Sequence, residues 1–404
     1  MYRILFPRVL MVSLLGLFLF GLTACSGSWK RVVNGGSITE DPFTVTFRAS
    51  LEHDLIIVPV EIGGEIYRFL FDTGAITAIS KEVQAKMQFK VVTTGTIEDS
   101  QDQRQEMRYV LVPELRIGNI SFNQQGAFVA DLRANPILRC MNLDGIIGSN
   151  TMRLCNWTIN YQVPSVTFTN QAIPEPNAST QVADFRPNSQ FAMKLDMKVG
   201  SATLTNLTFD TGSNGGISVP QKIFDVLHNR AILDSIYRQE GYSQSGLMGR
   251  VVAIDEAFTY ADSLVWGTME QHDLELSVGH SGLVGNQLWS RYLTTIDWDR
   301  KQVFLEPVQD LDLGHYTHGF NLGEDKSGKV FIRAIHKEGV AEQAGLEALM
   351  EVLAIGHLDL EQGATFCDYL AVRDSLNAMP QLRLVARNKQ GEQVSVILPR
   401  VALK

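Results

Sequence analysis

Two stretches of the chain repeat one hydrophobic pattern. Ile56-Ile57-Val58-Pro59-Val60-Glu61-Ile62 reads as a strand rich in β-branched residues, Gly63-Gly64 turns the chain, and Tyr67 to Phe71 reads as the returning strand. Further on, Phe191 to Val199 mostly alternates apolar and polar residues, Gly200-Ser201 turns, and Leu204 to Phe209 returns. A period of two is the spacing of side chains on one face of a sheet. Long runs with helical period are absent, and short helices are predicted at Lys81–Met87 and Gln221–Leu227. The segment Thr169 to Gln190, rich in Pro, Asn, Ser and Gln, reads as a connection. From about Leu313 the character changes. Gly319-Phe320-Asn321-Leu322 precedes a strand at Val330-Phe331-Ile332, and a small-residue run spans Gly339 to Leu346. Strand-like runs at Gln381–Ala386 and Gln393–Leu398 close the chain.

Each of the two hairpins leads into the same three residues. Phe69-Leu70-Phe71-Asp72-Thr73-Gly74-Ala75 matches Leu207-Thr208-Phe209-Asp210-Thr211-Gly212-Ser213, with the second Asp 138 residues after the first. Gly145-Ile146-Ile147-Gly148 is matched 137 residues later by Gly282-Leu283-Val284-Gly285. Ile159-Asn160-Tyr161 is matched by Ile296-Asp297-Trp298 at that offset, and strand-like Ser165–Phe168 and Gln302–Leu305 follow. Three ordered landmarks that hold one offset to within a residue identify a duplication with two lobes.

The Asp-Thr-Gly-Ala/Ser loops, each followed by an apolar pair and Gly, resemble the retropepsin and pepsin class of aspartic peptidases over residues 43–307. The resemblance implies a mainly β, bilobal, pepsin/retropepsin-like double β-barrel with the active-site cleft between the lobes. It implies an aspartic endopeptidase with Asp72 and Asp210 catalytic, acting on a protein or peptide substrate. The chemistry follows independently: two carboxyls held together cannot both ionise comfortably, so they share a proton and can activate a water between them. No cofactor and no metal are expected, since the water and two carboxylates suffice. Gly74 and Gly212 let the backbone approach the carboxyls. By resemblance, Thr73 and Thr211 interlock across the pseudo-two-fold axis. Ala75 against Ser213 is an asymmetry: a Ser hydroxyl can donate to an ionised carboxylate and Ala cannot, so the pair is expected to ionise less readily. Polar or Gly-rich stretches at Gly95–Arg108 and Gly241–Gly249 are candidate flaps, with Tyr109 and Tyr242 beside them.

Composition narrows the setting. Of 404 residues, 45 % are apolar and 20 % charged, with a net charge of −9, which argues against nucleic acid as a partner. Arg3 and Arg8 precede an apolar run, Val9 to Leu22, too short for a permanent membrane span. The run ends in Leu22-Thr23-Ala24-Cys25 and resembles a bacterial lipobox. That resemblance implies cleavage before Cys25, lipidation of Cys25, and a membrane-anchored protein facing the periplasm. Ser26 after Cys25 favours the outer membrane. Cys140 and Cys155 flank one glycine-containing segment and are candidates either for a disulfide or for two buried thiols.

The tail resembles a PDZ domain, a small α+β unit. Gly319, Phe320, Asn321 and Leu322 resemble its carboxylate-binding loop, implying a C-terminal peptide ligand held along a sheet edge. The Gly-Asp expected after Ala344-Gly345-Leu346 is missing. The expected organisation is a signal peptide (1–24), a lipid-anchored tether (25–42), lobe 1 (43–168), a linker (169–190), lobe 2 (191–307) and the PDZ-like unit (313–404). The competing function is a catalytically silent, peptide-binding or scaffolding lipoprotein.

Overall fold

The computed structural model describes residues 31–99, 103–243, 246–249, 251–308 and 315–403. The expected signal segment and Cys25 lie outside them. The fold is mainly β. In the first half, Leu55–Ile62 pairs antiparallel with Glu65–Asp72, with Ile57 opposite Leu70. Gly145–Gly148 lies parallel to Glu65–Asp72, with Gly148 opposite Asp72. The second half repeats this arrangement. Met193–Val199 pairs with Ala202–Phe209, with Lys194 opposite Thr208, and Leu283–Val284 runs parallel to the returning strand. The helix over Lys81–Met87 occupies the residues expected of it, and the second helix extends to Asn229.

Large aromatic side chains fill the space behind each Asp-bearing strand. Phe71 meets Trp157 edge-on at 5.2 Å, and Phe209 stacks on Trp289 at 4.0 Å. Both indoles are fully buried, and each N–H finds a carbonyl, of Met152 or Val284. The halves are joined beneath these rings. Asn156–Asn160 pairs with Tyr292–Asp297, placing Trp157 opposite Ile296. One apolar cluster therefore runs through both halves.

Two expected boundaries change. Gln181–Asp184, placed in the linker by composition, pairs with Gln302–Pro307 and so extends the shared sheet. Residues 31–42 do not hang free as a tether. Val32 and Val33 are fully buried in one apolar cluster with Leu70, Tyr109 and Phe128, and Ser37–Ile38 pairs with Asn123 and Phe122. Burying that apolar pair favours docking over solvation.

The tail has its own core, including Ile332, Leu346, Leu376 and Leu384. Strands Phe320–Glu324, Val330–His336, Glu351–Ile355, Gln381–Arg387 and Gln393–Pro399 pair in that order, and the helix Phe366–Asn377, which a Thr365/Asp368 capping box starts, adds Phe366, Leu370 and Leu376 to their core. The tail is fastened to both halves. Val330–His336 pairs with Tyr237–Ser243 of the second half. A disulfide joins Cys367 to Cys140 of the first.

The disulfide corrects the pairing of Cys140 with Cys155. Cys140 ends the short helix Pro136–Cys140, which packs on the tail helix, whereas Cys155 is buried in the core. Between them Gly145–Gly148 carries the chain through the interior, so the two thiols face different surroundings. Burial pushes the Cys155 thiol well above its ordinary pKa.

Candidate active site

The parallel strand pairs bring the two Asp-Thr-Gly loops head to head. Thr73 and Thr211 are fully buried. The Thr73 hydroxyl donates to the Phe209 carbonyl at 2.7 Å and accepts from the Thr211 N–H at 3.0 Å. Reciprocally, the Thr211 hydroxyl donates to the Phe71 carbonyl at 2.8 Å and accepts from the Thr73 N–H at 3.1 Å. Four buried bonds thus tie one half to the other through two hydroxyls, with each polar group satisfied.

The carboxyls reach across this junction. A Cβ on Gly74 would lie 2.8 Å from the Asp210 carboxyl carbon, and one on Gly212 would lie 2.3 Å from that of Asp72. Only hydrogen leaves room, which is the steric reason for glycine at both positions. Asp72 Oδ1 accepts from the backbone N–H of Gly74 at 2.8 Å and of Ala75 at 3.1 Å, while Asp210 Oδ1 accepts from Gly212 at 2.9 Å. Asp72 and Asp210 are within hydrogen-bonding reach of each other. Burial raises both acids, and Asp210 is pushed well above the carboxylate range by burial first and then by the charge of Asp72.

The Ser213 hydroxyl does not act as anticipated. Its Oγ lies 3.4 Å from the Gly215 N–H, which donates to it. The asymmetry of the pair comes instead from the backbone, with two N–H donors on Asp72 and one on Asp210. Behind the loops the halves match again. The Ser149 N–H donates to the Ala75 carbonyl at 2.9 Å and the Asn286 N–H to that of Ser213 at 2.8 Å, while the Ser149 hydroxyl, with one hydrogen to give, lies 3.0 Å from the carbonyls of Ala75 and Gln190. Asn286 Nδ2 donates to those of Thr211 at 2.9 Å and Asp54 at 2.6 Å.

Above the carboxyls lies a cavity of about 520 Å³. Leu55, Leu70, Ile76 and Ile146 form apolar wall on one side, and Leu283 contributes from the other half. Two hairpin tips cover it. Thr96 to Asp99 come from the hairpin Val91–Glu98/Arg104–Ile117, and Gly246 and Leu247 from the connection between Tyr237–Ser243 and Val252–Ala261. The tips are linked, since the Met248 N–H donates to Asp99 Oδ2 at 3.1 Å. Tyr109 is buried against Phe128, beneath its hairpin.

A wall element was missed in the sequence. Asn135 caps the helix Pro136–Cys140, accepting from Ile137 and Leu138, and its Nδ2 donates to the Gly246 carbonyl at 2.7 Å. Asn135, Ile137 and Leu138 line the cavity. The far side of this helix meets the tail through Ile137 packing, an Arg139–Glu324 ion pair and the Cys140–Cys367 bond. The signal was present: Asn followed by Pro is a helix-start pattern.

Gly319, Phe320, Asn321 and Leu322 lie outside the cavity, at the start of a tail strand. Gly319 donates its N–H to Thr317 Oγ1 at 2.9 Å, and the Asn321 amide reaches Gln239 Oε1 at the junction with the second half. Among the described residues no group of three or more His, Cys, Asp or Glu is placed to hold a metal ion, and no helix is long and apolar enough to cross a membrane.

A family model described as aspartyl protease matches residues 58–151. The matched span contains the first Asp-Thr-Gly loop, its hairpin from Val58 onward and the Gly145–Gly148 strand. No curated protein matches the chain.

Proposed function

We propose that the chain is a single-chain aspartic endopeptidase whose Asp72 and Asp210 hydrolyse peptide bonds with a water held between them. The observation that carries this is the meeting of two buried carboxyls, one from each half, at the floor of a covered cavity. The pair holds one proton and titrates as a unit. With two N–H donors Asp72 is the better anion, and Asp210 is the better acid. The water oxygen attacks the substrate carbonyl carbon while Asp72 takes a water proton and Asp210 gives its proton to the carbonyl oxygen. Asp72 gives its proton to the amide nitrogen as the C–N bond breaks, and one diol proton returns to Asp210, restoring the pair. With substrate bound beneath them, hairpin tips linked by the Met248–Asp99 bond would exclude bulk water, which strengthens every charge interaction inside.

The test is cleavage of internally quenched peptides by the folded chain beside Asp72→Asn and Asp210→Asn. Loss of cleavage in both variants supports the dyad. Cleavage that survives either change refutes it. No cleavage by wild type from pH 3 to 8 favours the silent binding protein instead.

The finer organisation belongs to the same reading. The two halves correspond to pepsin/retropepsin-like barrels, and the tail to a PDZ-like unit. Its strand Phe320–Glu324 pairs only with Val330–His336 among the described strands, and the other side of it is the edge proposed for a C-terminal peptide. Fluorescence anisotropy with C-terminal peptides as acids and as amides tests this; equal binding of the two forms would remove the carboxylate loop. Lipidation at Cys25 would anchor the protein to the envelope facing the periplasm, outer membrane favoured. Fatty-acid labelling that persists after Cys25→Ala would exclude it.

A further inference from the structure

We propose that Lys194 forms a carboxylate-binding subsite in the second half of the cleft, so that the preferred substrate carries an acidic group on one side of the scissile bond and an apolar side chain on the other. The inference rests on the peptidase reading and names its substrate class. It begins with a break in the internal symmetry. Two residues before Asp72, Leu70 stands opposite Ile57, and both are buried. Two residues before Asp210, the same positions hold Thr208 and Lys194. The parallel neighbours correspond as well: Ile146 lies opposite Leu70, and Leu283 opposite Thr208, and both of these neighbours line the cavity. Leu70 is itself cavity wall, so Thr208 holds the matching place across the carboxyl pair, and Lys194 holds the place of Ile57, one strand farther out on the same sheet face.

The Lys194 side chain is drawn toward this place. Its Nζ lies 2.7 Å from Thr208 Oγ1, to which it donates. The charge of Asp210 reaches it, and it forms no ion pair with any described residue. An ammonium carries three N–H donors, so this one keeps two for a ligand. Half-burial already strips water from it and lowers its pKa. A carboxylate arriving here replaces that lost hydration with charge-assisted hydrogen bonds. In the first half, Leu70 lines the cavity with Ile57 behind it, and the pair offers no such donor and presents only apolar surface. An extended chain laid across both loops therefore meets unlike walls on its two sides. The carboxylate could belong to an Asp or Glu side chain or to the substrate's own C-terminus.

The experiment uses the full chain and quenched peptides that differ only in Glu, Gln or Leu at each position within three residues of the cleaved bond. A pair ending in a free acid or an amide separates the terminal carboxylate from a side chain. The expected result is a preference for the acidic form of about tenfold in kcat/KM at one position, the size of one charge-assisted hydrogen bond. Lys194→Met should turn that preference toward Leu, and Lys194→Arg should keep it. Binding of the same peptides to the Asp72→Asn protein, read by anisotropy, needs no hydrolysis. Selective binding without cleavage by wild type would sink the peptidase reading and leave the subsite standing. Equal handling of Glu and Gln peptides, or a Glu preference unchanged in Lys194→Met, would overturn the subsite.

Discussion

Replacing Thr211 by Val keeps the β-branched shape and removes one hydroxyl from the inter-half junction. That hydroxyl donates to the Phe71 carbonyl and accepts from the Thr73 N–H, and the residue is fully buried. Val strands both backbone groups away from water. Each stranded group costs about 1–3 kcal/mol, so the pair costs ~2–6 kcal/mol. The assay is urea unfolding followed by tryptophan fluorescence, because Trp157 and Trp289 pack directly behind the two loops. Thr73→Val removes the reciprocal bonds to Phe209 and Thr211 and should lose a similar amount. The double variant should lose less than the sum, since loops already parted by one change admit water to the groups stranded by the other. Peptide cleavage should fall about a hundredfold, as misplacing a reacting group by an ångström does. A stability loss under about 1 kcal/mol in either single variant would show that these bonds do not hold the halves together.

Asp210→Asn should raise thermal stability at pH 7 and leave it unchanged near pH 3. With its folded pKa raised by burial and by Asp72, the acid contributes stability below its unfolded pKa and loses it as pH rises through the folded value. A melting temperature unaffected at pH 7 would contradict that shift. Lys194→Met should move the alkaline limb of the activity profile upward, because the lysine charge lowers the Asp210 pKa; a downward move would refute the assignment. Gly212→Ala should abolish cleavage, because the new Cβ would lie 2.3 Å from the Asp72 carboxyl carbon, and a variant with wild-type turnover would deny the close approach. Cys140→Ser should speed hydrogen exchange across residues 136–140 and raise KM several-fold. The lost crosslink closes 227 residues and is worth at most about 5 kcal/mol. Unchanged exchange would show that Ile137 packing and the Arg139–Glu324 pair suffice.

The sequence alone determined the elements whose signal is local or repeated. Period-two alternation and Gly-Gly or Gly-Ser turns marked the hairpins, and the offset of two Asp-Thr-Gly loops marked the carboxyl pair, because a duplicated fold repeats its spacing wherever the chain lies in space. Only the tertiary structure decided what depends on distant neighbours. Cys140 pairs with Cys367, 227 residues away, because the helix Pro136–Cys140 packs on the tail. Spacing along the chain says nothing about such a contact. Gln181–Asp184 becomes a strand because Gln302–Pro307 offers it an open edge, although its composition reads as loop. Ser213 looked like a donor to its carboxylate, but its local turn brings the Gly215 N–H to the hydroxyl. The Lys194–Thr208 pair was readable as letters, yet its meaning came from register: two strands and a pseudo-two-fold axis set it opposite Ile57 and Leu70. Patterns along one strand are fixed by the side chains in it, whereas the register between strands and the partner across an interface are fixed by packing of the whole.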